Sequence, residues 1–101
     1  MWSGLLAALA ILLGGTYGTT ACDQRFLDVL HSHGIAFLSP EWAIWDAHEV
    51  CVNLENGVAP ETIAENVEQQ SGMDGWHSGF FVGASIAAYC PQWARLIGGQ
   101  A

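Results

Sequence analysis

Positive charge is almost absent from this 101-residue chain. It contains no lysine, and Arg25 and Arg95 stand against ten aspartate and glutamate side chains, for a formal net charge of −8 at pH 7. Nucleic-acid-binding proteins neutralise phosphates with lysine and arginine, and docking on anionic lipid uses clusters of basic residues. The composition therefore argues against nucleic acid as a partner and against membrane attachment through a basic patch.

The sequence also lacks the short motifs of common enzyme chemistry. It has no G-x-S-x-G elbow, phosphate-binding P-loop, glycine-rich dinucleotide loop or C-x-x-C pair. Two carboxylate pairs, Glu61 with Glu65 and Asp46 with Glu49, have helical spacing but no positively charged neighbour in sequence. Such pairs are typical of solvated helix faces, so we expect a protein that is not an enzyme and uses no cofactor.

Residues 1–21 contain no ionisable side chain except Tyr17. Residues 2–13 form an apolar run of about a dozen residues, too short for the roughly 20 that a membrane-spanning helix needs. Small and polar residues follow, as in a secretory signal peptide, although the basic residue usual at its start is missing. We predict a signal peptide over 1–21 and an exported domain over 22–101, with a retained anchor or buried helix as the alternative.

Cys22 directly follows the predicted cleavage site. The sequence TTAC resembles a bacterial lipobox, in which the cysteine becomes the lipidated first residue, but Thr19 replaces the usual aliphatic residue. Lipidation of Cys22 would explain an odd number of cysteines in an exported protein. The alternative is an ordinary thiol, so the protein is predicted to be secreted or attached to the cell envelope.

The domain divides at turn signals into helical segments, and no sustained alternation predicts a strand. We predict an all-α fold, a small bundle of about four helices. Helix-starting residues and terminal glycines support the boundaries. The predicted segments are 23–34, 40–56, 60–72 and 75–90, with one more turn over 92–97.

Each segment carries apolar residues at helical spacing, which predicts the face that it buries. In the fourth segment this row has small residues at its centre, where another helix could approach closely. The predicted inward rows are Phe26, Leu27 and Leu30; Ile44, Ala47, Cys51 and Leu54; Ile63 and Val67; and Trp76, Phe80, Gly83, Ala87 and Cys90.

Cys51 and Cys90 both fall on these inward rows, and export would place them in an oxidising compartment. A domain of eighty residues has a modest core, so a covalent link is useful. Closing a loop of about 40 residues stabilises a fold by roughly 4 kcal/mol in the chain-entropy model. We predict a Cys51–Cys90 disulfide, with two buried free thiols as the alternative.

Three sequence features occur together in this chain. They are D-x-x-F-L-x-x-L-x-x-x-G-I from Asp23 to Ile35, then Val50, Cys51, Leu54 and Gly57, and F-V-x-x-x-I-x-x-Y-C-P from Phe81 to Pro91. Together they resemble a known family, domain of unknown function 732, which comprises small exported proteins of mycobacteria, their relatives and phages. The resemblance covers residues 23–91 and implies a short helical domain behind a signal peptide, with the two cysteines bridged. It implies no activity.

Histidines and tryptophans are the remaining candidates for a binding site. A Cys51–Cys90 disulfide could bring His48 and His77 onto neighbouring helices, a weak indication of a metal or haem site without any dense ligand motif. Trp42 and Trp45 lie three residues apart on the helix whose predicted inward row contains Cys51. One face of this helix cannot bury both the inward row and the two tryptophans. One of them is a candidate partner contact, unless all the tryptophans lie in or near the core.

These features favour an exported, non-enzymatic binding or envelope-associated module whose partner is a protein or an envelope component. One alternative is a carrier of haem, metal or lipid. Another is a phage-encoded envelope protein that excludes competing phages, which rests on the family's occurrence in phages and an anchor at Cys22.

Overall fold

The computed structural model describes residues 20–100, with side chains to residue 97. This range forms four α-helices and a 3₁₀ segment and contains no strand, which confirms the predicted all-α class. No helix in it is long and apolar enough to cross a membrane. The elements are α1 (Ala21–Ser32), α2 (Pro40–Glu55), α3 (Pro60–Ser71), α4 (Gly75–Tyr89) and the 3₁₀ segment (Pro91–Gln100).

Short polar side chains and glycines set most helix ends where the sequence predicted them. The Ser39 side chain accepts a hydrogen bond from the Trp42 amide at the start of α2, and Asp74 accepts one from the His77 amide at the start of α4. Gly57 and Gly72 follow α2 and α3 at φ 89° and 80°. This left-handed conformation suits glycine because it has no Cβ, so the chain leaves both helices there.

Helix α1 starts two residues earlier than predicted because Thr20 caps it. Thr20 Oγ1 accepts from the Asp23 amide at 3.0 Å, and Asp23 Oδ2 accepts from the Thr20 amide at 3.2 Å. This capping box puts the predicted cleavage site, between Ala21 and Cys22, inside the first turn. A chain that began at Cys22 would lose a cap of about 1 kcal/mol. The signal peptide itself lies outside the described residues except for its last two, and stays a prediction.

Helix α4 is the centre of the domain, because it packs against α1, α2, α3 and the 3₁₀ segment. The predicted inward rows of α1 and α3 are confirmed, and α2 buries its predicted row except for half-buried Ile44. The apolar core consists of Phe26, Leu27, Leu30, Ile35, Ala43, Ala47, Val50, Cys51, Leu54, Ile63, Val67, Phe81, Val82, Ile86 and Cys90.

The predicted inward row of α4 is wrong at Trp76 and Ala87, whereas Cys90 is buried and Phe80 and Gly83 are half-buried. Trp76 is 63% exposed and Ala87 is also exposed. The buried row instead consists of Ser78, Phe81, Val82, Ser85 and Ile86. Both the predicted row and the buried row have helical spacing. The buried row has larger side chains, aromatic and branched, at its middle. Its serines are small enough to allow close packing, and Ser85 satisfies its hydroxyl on the Phe81 carbonyl at 2.8 Å.

A disulfide joins Cys51 on α2 to Cys90 at the end of α4, as predicted. The two Cα atoms are 6.0 Å apart, and both cysteines lie in the core. The bridge closes a loop with a sequence separation of 39 residues, and this loop contains all of α3. The covalent link therefore restricts the unfolded chain across half of the domain.

Replacing both Cys51 and Cys90 by alanine should lower the free energy of unfolding by about 4 kcal/mol, because the unfolded chain regains the entropy of an open loop. Urea denaturation followed by tryptophan fluorescence measures the change. Cys22→Ser is the matched control, since Cys22 is exposed and unbridged. It should leave the free energy of unfolding within about 0.5 kcal/mol of that of the parent. Equal stability of the double variant and the parent would contradict the proposed role of the bridge.

Candidate functional site

An apolar groove runs along α4, and of its lining residues only Val82 belongs to the core. It lies between α1, α3, α4 and the 3₁₀ segment and has a volume of about 630 Å³. Every lining residue except Glu61 is apolar or glycine. Ligand sites in proteins are typically about 300–1,000 Å³ and mostly apolar, so the groove has the size and character of a small-molecule site.

Small residues of α4 make this face concave. Gly79, Gly83, Ala84 and Ala87 contribute little side-chain volume to the groove that they line. A Cβ added at Gly79 would meet nothing within 4 Å, and one at Gly83 would meet only Ile97 Cδ1, at 3.8 Å. The row of small residues is therefore left open along the groove, and Ile97 of the 3₁₀ segment approaches it at Gly83.

A smaller recess of about 130 Å³ continues the groove toward the end of α4. The recess and the groove share Val29, Ala84 and Ala87, so they form one continuous surface. Cys22 and Arg25 line the recess but not the main groove. At 1.5 Å per helical residue, the continuous floor from residue 79 to residue 88 is about 14 Å long. We call this combined surface the α4 groove.

Aromatic rings extend one wall of the α4 groove onto the surface. Trp76 stacks on Phe80 with ring centroids 5.6 Å apart, and Phe80 stacks on His33 at 4.1 Å. His33 is held in place because its Nδ1 lies 3.0 Å from the Val29 carbonyl oxygen. Phe80 lines the groove, and the Trp76 and His33 rings stack on it beside the Gly79 end.

A polar cluster ties α1 to the end of α4. The Tyr89 hydroxyl donates a short hydrogen bond to Asp23 Oδ1, and His48 packs on the Tyr89 ring at 4.2 Å. Burial acts to raise the pKa of Asp23, but hydrogen bonds from Tyr89 and Thr20, with the nearby His48, outweigh it and lower the pKa. Burial and the Asp23 carboxylate both raise the pKa of Tyr89. The cluster holds a charged Asp23 and a protonated Tyr89 at neutral pH.

The two histidines proposed as weak metal candidates do not come together. His48 packs on Tyr89 in the last turn of α4, whereas His77 lies in the first turn and binds Asp74 Oδ1 through Nδ1 at 2.9 Å. Twelve helical residues separate these turns by about 18 Å. Nowhere in the described part of the chain do three or more histidine, cysteine, aspartate or glutamate side chains cluster as metal ligands.

The two tryptophans proposed as partner contacts lie at the surface of α2. Trp45 is 61% exposed and Trp42 is 38% exposed, so they are not core residues. Trp42 borders one shallow depression between α2 and α3, and Trp45 borders another. Asp46 lines both depressions. Burial, and then the nearby Glu49 carboxylate, raise the pKa of Asp46. The pair thus flanks a half-buried acidic group on a surface separate from the α4 groove.

Cys22, the predicted lipidation site, lies exposed on α1 at the end of the α4 groove. Its Sγ donates a hydrogen bond to the Ala88 carbonyl oxygen at 3.3 Å. An acyl group on this sulfur would start beside the apolar recess. Lipidation stays a prediction.

Local sequence patterns do not indicate Arg25 as a site residue, nor do they indicate the Asp23–Tyr89 contact. Asp23 and Tyr89 are 66 positions apart in the chain, and no local spacing marks such a pair. The small residues of the groove were visible in the sequence, but whether that seam faced the core or the solvent was not.

Comparison with known proteins identifies the family of this chain. A model of the family described as "Protein of unknown function (DUF732)" matches residues 22–92. The chain belongs to this family. An uncharacterized protein of Mycobacterium tuberculosis (strain H37Rv) and one of Mycobacterium bovis are each 36% identical to it over 89 residues, covering 88% of this chain and 79% of the relative. A second uncharacterized Mycobacterium bovis protein is 32% identical over 88 residues, covering 87% of this chain and 79% of that relative. No solved structure matches the chain.

Removing the Tyr89 hydroxyl in Tyr89→Phe should cost about 1 kcal/mol at pH 7, because charged Asp23 loses a donor. Asp23 has a lowered pKa in the folded state. The stabilisation is therefore complete above the unfolded pKa, near 3.8, and disappears as the pH falls through the folded value. Urea denaturation of parent and variant between pH 2 and pH 7 measures it. Asp23→Asn and the double variant complete the cycle, and an unchanged difference across this range would contradict the prediction.

Replacing Trp45 by serine should change the free energy of unfolding by no more than about 1 kcal/mol, since most of the indole is in water. Phe81→Ala is the buried counterpart, because Phe81 is 2% exposed, and it should cost about 3–5 kcal/mol. Urea denaturation compares the two. A loss at Trp45 as large as the loss at Phe81 would show that the indole belongs to the core.

Proposed function

We propose that this member of the DUF732 family is an extracytoplasmic, non-enzymatic module that binds an apolar small molecule in the α4 groove. The observation that carries the proposal is a continuous apolar surface, about 630 Å³ in its main part, whose lining residues lie outside the core except for Val82. An apolar ligand that covers this surface removes apolar area from water. Each methylene group that becomes buried stabilises the complex by roughly 0.8 kcal/mol.

The chemistry of the lining supports binding without catalysis. The ionisable side chains on the α4 groove are Cys22, Arg25 and Glu61. The Cys22 thiol donates to a backbone carbonyl, not to a side-chain base that would activate it as a nucleophile. The polar Asp23–Tyr89 contact, which could move a proton, is used to join two helices.

Two features support a location outside the cytoplasm. The chain begins with an apolar run typical of a signal peptide. Its Cys51–Cys90 disulfide belongs to a class of bond that persists in oxidising compartments and is rare in the cytosol.

The exposed apolar stripe of α2 favours a second candidate function, contact with a protein partner. Trp42, Trp45 and Val52 lie on the surface of α2, and Leu38, in the loop before this helix, is 90% exposed. Exposed tryptophan is typical of protein interfaces. The stripe takes second place because it lies on the outside of a helix, whereas the α4 groove is concave and bounded by four elements.

Binding of neutral straight-chain alcohols tests the proposed site. We expect affinity to rise about fourfold for each added methylene group from octanol to dodecanol, because each contributes about 0.8 kcal/mol on burial. Isothermal titration calorimetry on the protein recovered from an exporting host measures the series. Binding should also show the negative heat-capacity change of apolar burial.

Gly83→Leu should abolish this binding, because its side chain would project from the groove floor toward Ile97. Gly75→Leu is the matched control, since Gly75 lies on the same helix but does not line the groove. It should bind the alcohols as the parent does. Absence of alcohol binding in the parent, or equal binding in both leucine variants, would overturn the assignment.

A further inference from the structure

We propose that the α4 groove selects single-chain amphiphiles with an anionic head group, such as long-chain carboxylates, and that Arg25 receives the head. The inference rests on the proposed function and goes further, because it names the ligand class and its orientation. The carrying observation is an unpaired arginine at one end of an apolar groove in a strongly acidic protein.

Arg25 has no acidic partner among residues 20–97, where no carboxylate oxygen lies within 4.0 Å of its guanidinium. The candidate nearest in sequence, Asp28, instead accepts a hydrogen bond from the Gln24 side chain at 3.0 Å. The first nineteen residues contain no aspartate or glutamate. Among the described residues, Arg25 is thus available to an anion from outside.

The other arginine is engaged elsewhere. Arg95 Nη1 donates to the Gln92 carbonyl oxygen at 2.9 Å, and its guanidinium lies 5.5 Å from the centre of the Trp93 ring. It does not line the α4 groove. Within the described part of the chain, Arg25 is therefore the one fixed positive charge on that surface.

The charges along the α4 groove fix the direction in which such a ligand lies. Arg25 borders the recess and not the main groove, whereas Glu61 borders the main groove and not the recess. A carboxylate beside Glu61 would meet a like charge, and one beside Arg25 an opposite charge. The head group therefore belongs in the recess, and the chain extends over Ala84 and Gly83 toward Gly79.

The guanidinium suits this position because arginine divides into two parts. Its methylene stem covers apolar surface while its charged end stays in water, and the recess at Arg25 is almost entirely apolar. Its planar donors match a carboxylate with two parallel hydrogen bonds. Because the ion pair is exposed, it adds selectivity for the head group while the apolar chain supplies most of the affinity.

Dodecanoate and dodecanol, which share a chain length and differ in head group, test the inference at pH 8. Calorimetric titration of the protein recovered from an exporting host should show tighter binding of dodecanoate. Arg25→Gln should weaken dodecanoate about two- to fivefold, as for an exposed ion pair, and leave dodecanol unchanged. Arg95→Gln, the matched control, should leave both affinities unchanged. Raising the salt concentration from 0.05 to 0.5 M should reduce the preference for dodecanoate in the parent alone.

Each other outcome overturns a distinct part of the argument. Equal affinity for both probes, with no effect of Arg25→Gln, removes the head-group assignment and leaves the proposed function standing. Failure of both probes to bind removes the proposed function as well. Dodecanoate binding that appears only in Cys22→Ser, together with an acyl mass on the parent protein, would mean that the groove holds the protein's own lipid and does not select a free amphiphile.

Discussion

The packing of one face of α4 into the centre of the domain is the constraint on which the rest of the structure depends. Phe81, Val82 and Ile86 are buried where α4 packs against the other helices. The disulfide at Cys90 fixes the end of that face to α2. Fully buried Ser78 and Ser85 keep the helix narrow there. Because the face of α4 that packs into the core takes up part of the helix surface, it also determines which residues of α4 remain outside the core.

Most of the α4 residues that line the groove are small, and this gives the surface its shape. Gly79, Gly83 and Ala87 form a floor between the walls that α1 and α3 provide, so the same packing that completes the core creates a groove. A helix with large residues on that row would fill the space itself. The groove is thus a consequence of sequence on both faces of α4, and its volume requires no displacement of the core.

The local charge at the recess differs in sign from the net charge of the protein, because Arg25 lines the recess. The net charge of −8 argues against anionic partners at a distance. At contact distance the local arrangement matters more, and Arg25 lies beside the apolar recess without an ion-pair partner among the described residues. The capping box of α1 and the Asp23–Tyr89 hydrogen bond secure the turn from which Arg25 projects. The polar cluster therefore supports the groove without belonging to it.

The sequence by itself determined the helical class, most helix boundaries and the cysteine pair. These follow from local chemistry, such as the Ser39 and Asp74 caps and the left-handed Gly57 and Gly72, and from apolar rows on α1, α2 and α3 that offer one burial solution. Only the tertiary structure decided which of the two apolar rows of α4 faces inward, because spacing alone does not rank two rows of the same period. It alone also brought Arg25, Cys22 and Ala88 to one recess, since contacts across 66 residues leave no mark in local sequence.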